Sequence, residues 1–350
     1  MKKDYKNSSL IDKSFGSAFN SCTPLVATIE ITQNCNFKCL HCYNFDRSKP
    51  MPKDIRDAQL DPAQIIQTID ALAGLGTLYI NISGGEALLH PHIGDFIKRI
   101  KSHNMEPRLK TNGFSLVDKI PFLKSCGVNS VDISLYGSSD ESYKHFTGVN
   151  NGYSKTVTAI KECVKNDIDL NVNIILQRNN VDELEEMTKM CEDNLVNFQV
   201  STETTERYDS SDGARDLEIT DKQFESLLLG PYGHMFMVNN TERALQCSCA
   251  RSVIGIGSNG DVYPCIGAPI ISGNIKNNSL KSIWKNSDEL NKIRNLKQES
   301  FKECATCDVI DYCSRSSGTC YVNSGNYTGC DPRYIAQATI RKNHSDKFKL

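Results

Sequence analysis

Cys35, Cys39 and Cys42 stand in the segment Thr32-Gln33-Asn34-Cys35-Asn36-Phe37-Lys38-Cys39-Leu40-His41-Cys42-Tyr43, a Cys-x3-Cys-x2-Cys spacing. Three thiolates this close in sequence can wrap one corner of a 4Fe-4S cube and leave its fourth iron open, whereas a structural zinc ion takes four closed ligands. His41 would be the fourth ligand of such a zinc site. A second concentration of thiols comprises Cys247, Cys249, Cys265, Cys304, Cys307, Cys313, Cys320 and Cys330. Eight thiolates divide into two closed four-cysteine sites, as iron-sulfur clusters or as zinc ribbons. The chain has 15 cysteines in 350 residues and no apolar segment near its N-terminus, so the odd count is a poor disulfide framework. Cys22, Cys126, Cys163 and Cys191 are scattered and read as small buried hydrophobes.

The elements that must position these thiols alternate in type. Short β-branched runs at Leu25–Ile31, Thr77–Ile82, Arg108–Lys110, Ser130–Leu135, Leu170–Leu176 and Asn197–Ser201 predict strands. Amphipathic segments at Pro62–Leu75, Ile93–Ser102, Val117–Ser125, Tyr153–Asn166 and Val181–Asn194 predict the helices between them. Six such repeats suit an α/β fold, a partial (β/α)6 barrel of the TIM type, with chemistry at the C-terminal ends of the strands. The first cysteine segment follows the first strand, and Ser83-Gly84-Gly85-Glu86 follows the second.

With that placement the chain resembles the radical S-adenosylmethionine (SAM) superfamily, whose mark is this cysteine triplet after the first strand of a partial barrel. Gly84, Gly85 and Glu86 resemble its GGE motif, which implies that they bind the methionyl amine of SAM. Tyr43 stands where relatives place an aromatic residue beside the adenine. Thr111 and Asn112 after strand three, Ser134 in strand four and Gln177 after strand five resemble positions that contact the carboxylate, ribose or adenine. The spacing Cys249-x10-Gly260-x4-Cys265, then Cys304-x2-Cys307-x5-Cys313-x6-Cys320-x9-Cys330, resembles the SPASM extension of some members. The gap between Cys313 and Cys320 is six residues, where the family usually has three. The resemblance implies one auxiliary 4Fe-4S cluster on Cys249, Cys265 and Cys320 with Cys247 as fourth ligand, and another on Cys304, Cys307, Cys313 and Cys330. It thus implies three clusters and SAM as cofactors.

The division expected is an N-terminal extension over 1–24, a radical SAM core over 25–205, a connector over 206–246, and a SPASM domain with its tail over 247–350. The Cys-rich segment is expected to carry little periodic structure, because metal sites replace a hydrophobic core there. Both polar ends, through Asn20 and from about Arg341, are expected to be loosely held.

The resemblance implies that a reduced cluster cleaves SAM to methionine and a 5'-deoxyadenosyl radical, which takes hydrogen from an unactivated carbon. Two further clusters suit net oxidation of the substrate, by cross-linking or dehydrogenation. The segment leading into Cys35 resembles maturases related to those of pyrroloquinoline quinone and mycofactocin biosynthesis, which implies a ribosomally made precursor peptide. A small molecule, such as an aminoglycoside-like sugar or a tetrapyrrole, is the alternative. A sulfatase-type maturase fits less well, because relatives place Asp where this chain has Ile266. A non-catalytic iron-sulfur scaffold would have no use for the Gly84-Gly85-Glu86 signature. With 34 residues before Cys35, a leader peptide is expected to be read by a separate small protein or by this chain's own surface. The resemblance further implies a low-potential donor such as flavodoxin or ferredoxin.

With 40 Lys+Arg against 42 Asp+Glu, nothing in the net charge of -2 favours nucleic acid or an anionic membrane as partner, and no apolar run reaches a membrane span. The expected location is cytoplasmic. Asp132, Tyr136, His145 and Glu203 lie in or after predicted strands and read as caps or solvated groups, so no proton-handling role is assigned to them.

Overall fold

The computed structural model describes residues 9–211, 213–238 and 247–348. Residues 1–8 of the expected extension, 212 and 239–246 of the expected connector, and 349–350 of the tail lie outside the described residues. The strands are β1 (Val26–Glu30), β2 (Tyr79–Ser83), β3 (Glu106–Thr111), β4 (Ser130–Leu135), β5 (Asp169–Ile175), β6 (Asn197–Ser201), β7 (Val253–Ile256) and β8 (Val262–Tyr263). They form one sheet in the order β6-β5-β4-β3-β2-β1-β7-β8. Pairing from β6 to β1 is parallel, with helices packed over the sheet between successive strands, as the βα alternation predicts.

Along β2 to β5 buried and half-buried residues alternate. Ile80, Ile82, Leu109, Val131, Ile133, Val172 and Ile174 enter the core beneath the helices. Thr28, Lys110, Ser134, Asn173 and Gln199 fall on the opposite face and line a cavity. This period of two puts a polar surface inside the open barrel, where a closed barrel would carry packed aliphatic layers.

The structure differs from expectation in the Cys-rich segment. β7 pairs in parallel with β1, Val26 opposite Val253 and Ile29 opposite Ile256, and β8 returns antiparallel to it. The segment therefore continues the barrel sheet and also carries the helices Leu280–Asn286, Asp288–Arg294, Ser317–Ser324 and Pro332–Asn343. Val253-Ile254-Gly255-Ile256 is too short for local periodicity to show, and its partner is distant in sequence.

Both ends also differ from the loose termini expected. Helix Leu10–Ser21 starts with a capping box in which Ser9 and Asp12 satisfy each other's backbone N–H groups. At the other end Arg341 is buried, donating from Nε to the Phe236 carbonyl at 2.7 Å and from Nη1 to that of Tyr312 at 3.1 Å. The capping box is local, whereas the Arg341 contacts are tertiary, so polarity in the sequence did not reveal them.

Candidate active site

The C-terminal ends of β1 to β6 open onto a cavity of about 740 Å³. Cys35, Cys39 and Cys42 line it from the loop after β1, and Ile266 and Gly267, just past β8, face it from the Cys-rich segment.

The loop is fixed by its neighbours. Gly85 N donates to the Thr32 carbonyl at 2.7 Å and Glu86 N to that of Asn34 at 2.8 Å. A Cβ on Gly84 would lie 2.2 Å from the Thr32 oxygen, and the residue holds φ at +137°, so only glycine fits. Gly84 and Gly85 form cavity wall, while the Glu86 carboxylate turns inward. Its oxygens accept from Leu88 N at 3.1 Å, Thr111 Oγ1 at 2.8 Å and Asn112 N at 2.8 Å. Burial pushes this carboxyl above the usual range against those donors. Glu86 thereby ties the end of β3 to the end of β2. Asn112 extends the tie to the cysteine loop, its Nδ2 donating to Asn36 Oδ1 at 2.8 Å.

Tyr43 is also on the wall, and its hydroxyl donates to Glu30 Oε1 at 2.7 Å. The connector reaches this point, since Tyr208 N donates to the Tyr43 carbonyl at 2.7 Å and Tyr208 Oη to the Ile266 carbonyl at 2.7 Å. One tyrosine thus links the first cysteine loop to the residue following Cys265. Nothing in its local sequence marks it.

Ser134 lines the cavity, and Gln177 lies deeper at 0% exposure. Among the described residues neither amide atom of Gln177 has a hydrogen-bond partner, and Thr204 Oγ1 and His41 Nδ1 are equally unsatisfied. Buried polar groups left this way cost about 1–3 kcal/mol each, so the arrangement suits a polar ligand. His41 packs on Tyr136 and Phe146, and burial with the nearby Arg207 charge holds it neutral, down at about 4.

Burial pushes the Cys35 thiol up to about 11 and also raises that of Cys39 well above the ordinary thiol value. Thiols so placed are unreactive as such, and a cationic metal group is what stabilises them as thiolates. Among the described residues no three His, Cys, Asp or Glu side chains converge on a point as ligands of one ion. A single zinc needs ligands within about 2.0–2.3 Å of one centre, whereas a cubane takes each thiolate on a different iron. Three thiolates on one loop are the donors that a cubane with one open iron takes.

In the Cys-rich segment Cys249 and Cys265 bring their sulfurs to 2.7 Å, and Cys247 Sγ lies 3.1 Å from Tyr327 Oη. Cys304 packs with Phe301 and Ile310 in a small core that Cys307 and Cys313 flank. Burial, with the thiols of Cys313, Cys320 and Cys304, pushes Cys330 up to about 12. Cys320 thus lies in the field of this second group. Cys126, Cys163 and Cys191 are buried in the main core, and Cys22 is half-buried.

Residues 29–191 match the radical SAM superfamily, and residues 247–308 match SPASM, an iron-sulfur cluster-binding domain. This chain is a radical SAM enzyme with a SPASM domain. A radical SAM enzyme of this kind uses SAM and iron-sulfur clusters. It is 23% identical to the AdoMet-dependent heme synthase of Methanosarcina barkeri over 89% of this chain and 96% of that protein. It is 25% identical to mycofactocin maturase MftC of Mycolicibacterium smegmatis, over 83% of this chain and 77% of that one. Its fold is that of Streptococcus suis SuiB bound to precursor peptide SuiA, with a TM-score of 0.62 at 17% identity, over 92% of this radical SAM chain and 80% of SuiB. Among its described residues no helix is long and apolar enough to cross a membrane.

Proposed function

We propose that this radical SAM enzyme oxidatively modifies a ribosomally synthesised peptide, by cross-linking or dehydrogenation. When bound, a reduced cluster and SAM together supply a 5'-deoxyadenosyl radical that removes hydrogen from carbon. Cys35, Cys39 and Cys42 hold that cluster. The backbone at Gly84 and Gly85, with Tyr43, Thr111, Asn112, Ser134 and Gln177, orients SAM, and Glu86 keeps Thr111 and Asn112 in position. Cys247, Cys249, Cys265, Cys304, Cys307, Cys313, Cys320 and Cys330 would hold two auxiliary clusters, which would supply an electron acceptor beside the substrate. Glu203, which its sequence position alone marked only as a cap or solvated group, is the one carboxylate among the described residues of the cavity wall, where Arg333 Nη2 at 2.5 Å and the Tyr334 hydroxyl hold it. It is our choice for the group that takes the proton released on oxidation. The core over 25–205, the connector and the SPASM domain over 247–350 act as one unit, supplied by a donor such as flavodoxin or ferredoxin in a reducing cytoplasm.

One observation carries the peptide reading. The charged side chains of the wall, Arg47, Lys110 and Glu203, are each engaged already, Lys110 with Asp132 at 2.6 Å. The rest of the polar wall is neutral, including Asn173, Gln177, Gln199, Ser201, Thr204 and Thr319. A peptide backbone finds hydrogen-bond partners there, whereas a tetrapyrrole with several carboxylates meets no uncommitted cation among the described residues of that wall. The likeness to a heme synthase across nearly the whole of that protein favours the tetrapyrrole as the second reading.

The test is anaerobic co-expression with a short peptide encoded beside the gene, followed by mass spectrometry, with a Cys35, Cys39 and Cys42 triple alanine variant as control. Loss of two hydrogens that depends on those cysteines is the expected result. An unchanged mass, no solvent deuterium uptake, and continued SAM cleavage would transfer the conclusion to the small-molecule reading.

A further inference from the structure

Arg47 turns back from the loop beyond Cys42 and donates from Nε to Cys42 Sγ at 3.2 Å. Its Nη2 donates to Gln33 Oε1 at 2.9 Å, and its Nη1 to the Gln33 carbonyl. The guanidinium carbon sits 4.2 Å from the centroid of the buried Phe45 ring. Gln33 is itself buried and donates Nε2 to Glu30 Oε2 at 3.1 Å, which obliges its Oε1 to face Arg47. The planar fork is therefore clamped on Gln33 and stacked on Phe45, leaving Nε aimed at one sulfur. A lysine has neither this fixed fork nor a stacking face.

The same charge acts on Cys35 and Cys39 as well as Cys42. Lys110, the other cationic side chain of the wall, is offset by Asp132. A hydrogen bond and a positive charge at a cluster thiolate favour the reduced state, because that state carries the extra electron.

We propose that Arg47 is a positioning residue that raises the reduction potential of the cluster on Cys35, Cys39 and Cys42 through its hydrogen bond to the Cys42 sulfur. The inference rests on the reading of those three cysteines as cluster ligands. It assigns Arg47 no contact with substrate.

The experiment is a redox titration of the full chain, loaded anaerobically with iron and sulfide and followed by EPR through the signal that changes when SAM is added. Arg47→Met is expected to lower the reduced-to-oxidised ratio about tenfold at the wild-type midpoint, equivalent to about 59 mV for a one-electron couple. Arg47→Lys, which keeps the charge, is expected to shift it about threefold or less. Arg47→Gln, which removes the charge but remains polar, is expected to shift it in the same direction as methionine and replaces that variant if it does not fold. A midpoint unchanged in the neutral variants overturns the proposal. So does a folded neutral variant that binds no SAM-sensitive cluster, since Arg47 would then serve assembly and not potential. A wild-type protein without any SAM-sensitive signal would instead refute the assignment of the three cysteines.

Discussion

Tyr43 and Glu30 meet at 2.7 Å, phenol to carboxylate, joining the end of β1 to the residue after the last cysteine of the loop. Asn44 Nδ2 at 3.2 Å and Gln33 Nε2 at 3.1 Å donate to the same carboxylate. A single buried acid thus gathers both ends of the loop that carries Cys35, Cys39 and Cys42. Through Gln33 the network continues to Arg47 and Cys42.

This acid makes stability depend on pH. Burial raises the Glu30 pKa above its ordinary 4.5, against the hydrogen bonds from Tyr43 and Asn44. The folded protein therefore binds this proton more tightly than the unfolded chain, and the contribution is fully present below 4.5. It is lost as pH rises from there through the raised folded value. Glu30→Gln is expected to remove this decline, and urea denaturation of both proteins across that range checks it. Parallel pH profiles would contradict it.

Gln177 offers a test that runs in two directions. Because its amide is buried without partners among the described residues, Gln177→Leu should raise the stability of the SAM-free protein by about 1 kcal/mol. It should also weaken SAM binding about tenfold or more, as an unmade hydrogen bond in the complex requires. Thermal denaturation and equilibrium dialysis give the two readings. A loss of stability would mean that the amide has another use.

Glu203 is held by Arg333, itself 8% exposed at the side chain, and by Tyr334. If it receives the substrate proton, Glu203→Gln should leave 5'-deoxyadenosine formation near wild type while slowing formation of modified peptide about a hundredfold. Quantifying both products in one assay separates this outcome from a general loss of structure, which would lower the two together.

The two groups of thiols should also separate in function. Alanine at Cys35, Cys39 and Cys42 is expected to abolish SAM cleavage. Alanine at Cys304 or Cys307 should spare part of it and block peptide modification. Iron analysis of the anaerobic wild-type protein should give about twelve irons per chain for three 4Fe-4S clusters. Full turnover in Cys304→Ala would remove the auxiliary thiols from the mechanism.

The amino-acid sequence by itself determined the class of chemistry and the barrel. Cys35, Cys39 and Cys42 are neighbours in sequence, so their joint use needs only a loop, and β4 and β6 fall at Ser130–Leu135 and Asn197–Ser201, as their patterns predict. Local spacing and periodicity are short-range properties, and short-range properties survive in a linear string. Tertiary structure alone decided what surrounds those thiols. The pairing of β7 with β1, the tie of Tyr208 to both Tyr43 and Ile266, and the guanidinium of Arg47 on Cys42 each depend on chain that folds back from elsewhere. Even Glu86, legible as part of a motif, spends its carboxylate on Leu88, Thr111 and Asn112, because burial away from water obliges a charged group to take every donor within reach.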